Sequence, residues 1–254
     1  MIYVALPVHN ERHTVGVLLW RLRQVFTEIN RDFRILVVDD ASTDGTPEVL
    51  EPYSRVLPLT LLRNERREGY ARCLERLIRE AVHASQYPKR DGLVVMQADF
   101  TDGPEWIPEM LKRFQGGADL VAGRAVGVRD VPRPVRLARL GTRFLARPGG
   151  IPDGVDDPFC SFRLYRLTAL KRALRDLSAS GERLLLHDGW AASLELLRAV
   201  SPHLRRTEQV EIPTDYSRRY RRSRFRALPA LWGLVRASRD RRHRDSGTAA
   251  IVEG

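Results

Sequence analysis

Short apolar runs alternate along the chain with longer segments in which apolar residues recur every three or four positions. The runs are short enough for strands, and the run RILVV is typical of a strand buried on both faces. The periodic segments have the spacing of helices that bury one face, as in the series from Val15 to Ile29. The predicted strands cover residues 2–6, 34–38, 59–62, 93–96, 120–122, 162–165 and 210–212. The predicted helices cover residues 15–29, 71–81, 104–114, 169–177, 190–200 and 227–240, and one more follows the loop ASTDGT.

This alternation predicts an α/β fold with a mostly parallel, doubly wound sheet flanked by helices. Residues 125–160 are rich in Pro, Gly and Arg and have no clear period, so we expect a mobile loop there, with a short helix at 135–146. We expect one large domain over residues 1–226, a basic amphipathic helix over 227–244 and a disordered tail over 245–254.

The net charge of +11 is concentrated near the C-terminus. Residues 216–244 contain eleven arginines and one aspartate, which leaves a surplus of ten positive charges in that stretch. Such a segment favours a phosphate-bearing partner: nucleic acid, anionic lipid or a phosphorylated substrate. The two cysteines lie far apart, so no disulfide framework is expected and a reducing compartment fits best. No run of 18 apolar residues occurs, and the N-terminus does not resemble a secretory signal.

Acidic residues follow two of the predicted strands. VVDDASTDG places Asp39 and Asp40 at a strand end with Asp44 in the next loop, and VVMQADFTDG places Asp99 and Asp102 after another strand. Ligands of parallel sheets bind beyond the carboxyl ends of the strands, so these carboxylates are candidates for holding a nucleoside or a divalent cation with its phosphates. The structural alternative is a pair of helix-capping turns rich in Asp and Ser.

Two further blocks carry arginine. In DPFCSFRLYR, Asp157 and Arg163 flank a Cys-Ser pair, but no histidine stands nearby to activate a nucleophile. In DYSRRYRRSRF, arginines alternate with tyrosines, and arginine forks bind phosphate well. A solvated basic face is the alternative there.

These blocks, together with PVHNE near the N-terminus and REGYA at residues 67–71, resemble glycosyltransferase family 2 in order and spacing. Within the family, they are most similar to the dolichyl- or polyprenyl-phosphate mannosyltransferases. The likeness runs from about Tyr3 to Phe225. It implies a GT-A nucleotide-diphosphosugar transferase fold and an inverting, metal-dependent transfer of a sugar, with GDP-mannose as the expected donor and a polyprenyl phosphate as the expected acceptor.

The resemblance also implies roles for individual residues. The expected nucleotide-sugar ligands are Pro7, Asn10, Glu11, Asp39, Asp40, Asp44, Arg67, Gln97 and Ala98. The expected catalytic residues are Asp99, Asp157 and Arg163, and the expected phosphate or acceptor ligands are Ser161, Arg163, Arg218, Ser223 and Arg224.

The resemblance implies Mg²⁺ or Mn²⁺ as cofactor, with Asp99 and Gln97 as ligands. Gln97 replaces the first aspartate of the family's metal motif and offers a carbonyl oxygen without a charge. Asp102 is the residue expected to compensate for the carboxylate that Gln97 lacks. Cys160 and Ser161 replace the family's usual Ser and Gly.

A lipid-phosphate acceptor needs no strong general base, because a phosphate monoester with a second pKa of about 6 is already anionic at neutral pH. The helix at 227–240 pairs apolar residues with arginines, so we expect it to lie on an anionic membrane at the cytoplasmic face. The structural alternative is a helix packed on the catalytic domain.

Four other functions remain open. The chain could transfer a sugar from a UDP-sugar to a non-lipid acceptor, or be a transferase inactivated at Gln97. It could instead be a non-enzymatic phosphate- or nucleic-acid-binding protein, although the acidic strand ends would repel a phosphate backbone and no nucleic acid is expected. A dinucleotide oxidoreductase is disfavoured because no G-x-G-x-x-G turn follows the first strand.

Overall fold

The computed structural model describes residues 1–129, 151–158, 160–181 and 183–215. The strands are β1 (Ile2–Val8), β2 (Phe33–Asp39), β3 (Leu59–Arg63), β4 (Gly92–Val95), β5 (Leu120–Arg129), β6 (Arg163–Arg166) and β7 (Thr207–Asp215). The α-helices are α1 (Val15–Glu28), α2 (Thr46–Val56), α3 (Tyr70–Ala84), α4 (Ile107–Gln115), α5 (Leu167–Ser180) and α6 (Trp190–Val200). Short 3₁₀ turns at Pro104–Trp106 and Ser201–His203 lead into α4 and out of α6.

The seven strands form one sheet in the order β3-β2-β1-β4-β6-β5-β7. Strands β1 to β4 pair in parallel, β5 pairs in parallel with β7, and β6 runs antiparallel to both of its neighbours. Parallel pairing requires a crossover between strands, and helices α1 to α3 supply those crossovers. The predicted α/β fold with a mostly parallel, doubly wound sheet is confirmed.

The sheet separates two apolar layers. In β1, Ile2, Val4 and Leu6 join the layer formed with α1, α2 and α4, whereas Tyr3 and Ala5 join the layer formed with α3, α5 and α6. Successive side chains of a strand point to opposite faces, so a strand covered on both faces is apolar at every position. This covering explains the uninterrupted run at residues 35–38, all of which are buried.

The outer strands extend further than the sequence predicts. Strand β5 continues to Arg129, although residues 125–129 were expected to be loop, and β7 covers nine residues instead of three. Each strand supplies the other's hydrogen bonds along this length, from Leu120 opposite Thr207 onward, so a distant partner extends both strands. The predicted helices at 135–146 and 227–244 and the predicted tail lie outside the described residues.

Helix lengths follow the predicted apolar periodicity closely. The predicted helix at 190–200 has the observed bounds of α6, and the one predicted at 104–114 begins as a 3₁₀ turn before α4. Within the described part of the chain, no helix combines the length and the apolar character needed to cross a bilayer.

Candidate functional site

Three of the four non-glycine residues with a positive φ in the described part of the chain lie at one edge of the sheet. Asn10, Ala41 and Phe100 have φ angles of 55°, 53° and 62°, in the left-handed region that non-glycine residues rarely adopt. Each follows the carboxyl end of a parallel strand, β1, β2 or β4. Such strain persists only where surrounding structure enforces it and is concentrated at functional sites. This edge, where parallel sheets bind ligands, is the candidate site.

The loops after β1 and β2 are bonded to each other. The backbone N–H of Asn10 donates to Ser42 Oγ over 2.8 Å, and the N–H of Thr43 donates to Asn10 Oδ1 over 2.8 Å. The N–H of Glu11 donates to Thr46 Oγ1, also over 2.8 Å. Asn10 and Glu11, both predicted nucleotide ligands, therefore help to shape a cradle formed by two loops.

Asp44 supports the same cradle from the start of α2. Its Oδ1 accepts hydrogen bonds from Thr46 N–H and Thr46 Oγ1, and its Oδ2 accepts one from Arg12 N–H over 3.3 Å. Burial by itself would raise the pKa of Asp44, but the bonds from Thr46 and Arg12 outweigh it and lower the pKa. Asp44 thus caps α2 as a carboxylate, and the N-cap residue Gly45 adopts a φ of 84°.

Asp40 connects the cradle to the loop between β3 and α3. Its carboxylate is buried and accepts bonds from Asn64 Nδ2 over 2.9 Å, Glu68 N–H over 2.7 Å and Gly69 N–H over 2.9 Å. Burial would raise the pKa of Asp40, but the bonds from Glu68, Asn64 and Gly69 outweigh burial and lower the pKa. Protein donors occupy both oxygens, so Asp40 anchors a loop in this structure, where the sequence predicted a nucleoside contact.

The other predicted residues on this side lie close to that arrangement. Asp39 is buried and accepts a bond from Ser42 N–H over 3.2 Å. Pro7 lies within β1 opposite Val38 of β2, and exposed Arg67 lies in the loop that Asp40 anchors. The structure therefore brings the predicted nucleotide ligands from the first 69 residues to one edge.

The loop after β4 is held by its own carboxylates. Buried Asp102 accepts a bond from Gln97 N–H over 2.8 Å, which closes the loop on itself. Asp99 is half-buried, and its Oδ1 accepts bonds from Thr101 N–H over 3.0 Å and from Thr101 Oγ1 over 2.5 Å. Ala98 between them is buried. Asp102 is therefore a loop-forming residue, whereas Asp99 remains partly exposed to solvent.

Gln97 joins this loop to the turn before β6. Its Nε2 donates to Ser161 Oγ over 3.1 Å, and in the same turn Cys160 N–H donates to Asp157 Oδ1 over 3.2 Å. Two of the three positions that depart from the family pattern, Gln97 and Ser161, are thus in direct contact. Gln97 Oε1 accepts no hydrogen bond from the described residues.

The oxygen atoms available at this edge fit the ligand needs of a divalent cation that also binds phosphate. No group of three or more His, Cys, Asp or Glu side chains is gathered for a metal in the described part of the chain. A protein cage is not required, because Mg²⁺ bound with substrate phosphates typically takes one or two protein oxygens and completes its shell with phosphate and water. Half-buried Asp99 and the carbonyl oxygen of Gln97 match that requirement.

Arg163 is enclosed by the protein. The residue is fully buried, and its terminal nitrogens donate to the carbonyl oxygens of Pro158 over 2.6 Å, Ser193 over 2.9 Å and Asp157 over 3.4 Å. A guanidinium enclosed in this way offers no surface to a ligand. The predicted contact between Arg163 and an acceptor phosphate stays a prediction, and in this structure the protein encloses the guanidinium. Arg163 holds the turn that carries Asp157 and Ser161 against α6.

The thiol beside this turn is not a nucleophile. Burial, with additional contributions from the charges of Asp102 and Asp157, raises the pKa of Cys160 to about 12. The thiolate is the reactive form of cysteine, so this side chain is inert at neutral pH. The sequence-based argument against a Cys or Ser nucleophile in this block is consistent with that environment.

Sequence reasoning missed a group of residues contributed by the loop before α6. Asp188 Oδ1 accepts a bond from Ala71 N–H over 2.7 Å, and Glu195 accepts bonds from His187. Asp188 and Ala71 are 117 residues apart, so neither spacing nor periodicity could connect them. The sequence HDG directly before a helix was the only local signal. The predicted phosphate ligands Arg218, Ser223 and Arg224 lie outside the described residues.

Comparisons with known proteins agree with this architecture. Residues 3–174 match the sequence model of the family described as "Glycosyl transferase family 2". The chain is 28% identical over 177 residues to the undecaprenyl-phosphate 4-deoxy-4-formamido-L-arabinose transferase of Edwardsiella ictaluri, covering 67% of this chain and 50% of that protein. It is 31% identical over 120 residues to the dolichol-phosphate mannosyltransferase of Pyrococcus furiosus, covering 47% of this chain and 32% of that protein.

A solved structure shows the same fold. Glucosyl-3-phosphoglycerate synthase from Mycobacterium tuberculosis, crystallised with Mn²⁺, uridine diphosphate and phosphoglyceric acid, superposes with a TM-score of 0.59 at 20% identity, over 93% of this chain and 75% of that one. The predicted GT-A fold is confirmed by this likeness. The chain spans half or less of the length of the two curated relatives. The predicted family is likewise confirmed, because the family match covers about two thirds of the chain: this protein belongs to glycosyl transferase family 2.

Proposed function

We propose that this chain is an inverting glycosyltransferase that moves a sugar from a nucleotide-diphosphate sugar to a polyprenyl phosphate. Family membership supports the enzyme class. The names of two curated relatives support the acceptor class, because one acts on undecaprenyl phosphate and the other on dolichol phosphate.

One observation carries the proposal: three parallel strands end in strained loops whose polar side chains converge on one edge of the sheet. The cross-bonded loops after β1 and β2 form the side that would receive the nucleoside. The loop after β4 places Asp99 at the same edge, between those loops and the turn that contains Asp157 and Ser161. The nucleotide-sugar donor and the polyprenyl phosphate acceptor would thus approach each other across Asp99.

Asp99 and the Gln97 carbonyl oxygen would hold a divalent cation. When bound, Mg²⁺ or Mn²⁺ would act as a Lewis acid that neutralises charge on the departing nucleoside diphosphate. Thr101 orients the Asp99 carboxylate through two hydrogen bonds, and the Asp102 bond to Gln97 N–H keeps the loop closed. These residues would prepare the site before the substrate arrives.

The acceptor would be positioned by positive charge, since an anionic phosphate needs no strong base. Arg218, Ser223 and Arg224 are the proposed phosphate ligands, and Asp157 and Ser161 line the turn that faces them across the site in our proposal. Arg163 would act indirectly, because it donates hydrogen bonds to the backbone carbonyl groups of that turn. The raised pKa of Cys160 is consistent with a mechanism that uses no covalent intermediate on the protein.

GDP-mannose is the proposed donor, since a relative is named a dolichol-phosphate mannosyltransferase. The second candidate is a UDP-sugar with a non-lipid acceptor, because the Mycobacterium tuberculosis relative was crystallised with uridine diphosphate and phosphoglyceric acid.

We also propose residues 1–226 as the catalytic domain and 227–244 as a basic amphipathic helix lying on the cytoplasmic face of an anionic membrane. The surplus of arginine in this stretch supports electrostatic attraction to acidic lipids. Residues 245–254 are the proposed disordered tail.

A two-phase transfer assay tests the function. The protein is incubated with Mg²⁺ or Mn²⁺, a polyprenyl phosphate and either labelled GDP-mannose or labelled UDP-glucose. Label that enters the organic phase supports the proposal and identifies the donor. Donor that is bound but not transferred to lipid contradicts the lipid acceptor, and failure to bind either nucleotide contradicts the enzyme assignment.

A further inference from the structure

Helix α3 begins without a side-chain cap of its own. Its N-cap residue is Gly69, which has no side chain, and its first turn contains no acidic residue. The first N–H groups of a helix have no partner within the helix and need an acceptor. Asp188 supplies one from a loop 117 residues away, since its Oδ1 accepts the bond from Ala71 N–H over 2.7 Å.

The same carboxylate packs directly against Gly69. A Cβ atom added at Gly69 would lie only 2.5 Å from Asp188 Oδ2, and the φ angle of Gly69 is 96°. Glycine is therefore required there for two reasons: the backbone conformation and the close approach of Asp188. Asp188 thus touches both the helix start and the last residue of the preceding loop.

The loop that carries Asp188 is itself anchored. Glu195 in α6 accepts bonds from the N–H groups of Leu186 over 2.8 Å and His187 over 3.2 Å, and its Oε1 lies 2.5 Å from His187 Nδ1. These bonds hold the two residues immediately before Asp188. The carboxylate therefore reaches α3 from a supported position.

The C-terminal end of the loop before α3 is held by acids from two parts of the chain. Asp40 accepts bonds from Glu68 N–H and Gly69 N–H, and Asp188 accepts the bond from Ala71 N–H and packs against Gly69. Exposed Arg67, the predicted nucleotide-sugar ligand, lies in this loop. A loop fixed in this way loses little conformational entropy when it binds a ligand.

We propose that Asp188 is a positioning residue that preforms the loop carrying Arg67 for the diphosphate of the nucleotide sugar. This inference rests on the proposed function, since it requires a nucleotide at this edge of the sheet. It assigns Asp188 no contact with the nucleotide and no proton transfer.

The test compares three variants for affinity and stability. Asp188→Ala removes the acceptor, and Asp188→Asn keeps a carbonyl oxygen for Ala71 N–H. Asp119→Ala is the matched control, because Asp119 accepts bonds from Arg205 N–H over 3.0 Å and Arg166 Nε over 2.8 Å at the amino-terminal edge of β5, on the side of the sheet opposite the site. Binding of GDP and UDP with Mn²⁺ is measured by calorimetry, and thermal unfolding is measured on the same samples.

We expect Asp188→Ala to weaken binding of the preferred nucleotide about tenfold, because the released loop must then be ordered when the nucleotide binds. Asp188→Asn should recover most of that loss, whereas Asp119→Ala should lower the Tm without weakening binding. Unchanged nucleotide affinity in Asp188→Ala would overturn the inference, and so would equal weakening in Asp119→Ala. Wild-type protein that binds neither nucleotide would overturn the proposed function itself and, with it, the role of this loop.

Discussion

The two sides of the strand-end edge are built in different ways. The proposed nucleotide side consists of loops from the first 69 residues, and Asn10, Ser42, Thr43 and Asp40 bond these loops to one another. The described part of the proposed acceptor side is the turn that carries Asp157 and Ser161, which depends on buried Arg163 and on α6. Apart from the contact with Asp188, the nucleotide side is assembled from neighbouring crossovers, whereas the acceptor side needs contacts between distant segments.

The difference shows where preorganisation is concentrated. Nucleotide-side carboxylates such as Asp40 and Asp44 have lowered pKa values because protein donors outweigh burial, so they are charged and fully engaged before any ligand binds. A site that is already in its bound geometry loses less free energy to ordering when the ligand arrives. In our proposal, Asp99 lies between the two sides and holds the cation that serves both.

The largest expected effect comes from removing that shared residue. Asp99→Ala should lower sugar transfer at least about 100-fold, because charge stabilisation by a bound cation is worth several kcal/mol. The two-phase assay measures the loss, and Mn²⁺ binding in the presence of nucleoside diphosphate measures its cause. A variant that retains transfer would show that Asp99 does not join the two sides. Thermal unfolding of the same sample provides the folding control.

The next effect tests the acceptor side. Arg163→Met should lower the free energy of unfolding by about 3 kcal/mol, because three carbonyl groups, two of them buried, lose their donor. Urea unfolding measures it, with Arg172→Met as the matched control at an exposed position in α5. Nucleotide affinity of the folded variant should stay near that of wild type. If Arg163→Met destabilised the protein no more than Arg172→Met does, Arg163 would not hold the turn.

A third effect tests the nucleotide side through pH. The pKa of Asp40 is lowered in the folded state, so its stabilisation is fully present above the unfolded value of about 3.9 and is lost as the pH falls through the folded pKa. Asp40→Asn should remove this contribution and lower stability at pH 7 by about 1–3 kcal/mol. Stability measured by urea unfolding from pH 7 to pH 3 should therefore fall less steeply in the variant than in wild type. An identical slope in the two proteins would contradict the assignment.

The smallest effect concerns the link between the two sides. Gln97→Asp adds a second carboxylate next to Asp99 and should raise Mn²⁺ affinity about tenfold, with the nucleotide present, because a carboxylate is a stronger ligand than an amide for a hard cation. Ser161→Ala is the control, since it removes the Gln97 bond without adding charge. Metal affinity that is unchanged in Gln97→Asp would place Gln97 away from the cation.

The accuracy of the sequence-based predictions follows the same division. Strands β1 to β4 lie within two residues of their predicted bounds, and for β1, β2 and β4 the reason is that burial on both faces favours a nearly continuous apolar run. The predicted nucleotide ligands meet at one edge because every parallel strand of a doubly wound sheet ends there. The extension of β5, the burial of Arg163 and the contact of Asp188 with α3 were not predictable, because each depends on a partner far away in the chain.

Local chemistry in the sequence determined the order of strands and helices, the parallel core and the positions of the polar loops after β1, β2 and β4. Those features arise from the spacing of apolar residues, the apolar content of each run and the turn residues, all of which depend only on near neighbours in the sequence. Only the tertiary structure decided which carboxylates bind protein and which remain accessible. Asp40 and Asp99 both follow strands, but Asp40 is enclosed by donors from the loop before α3, whereas Asp99 stays partly exposed. How exposed a carboxylate remains depends on the segments that folding packs around it, and for Asp40 those segments include the loop before α3.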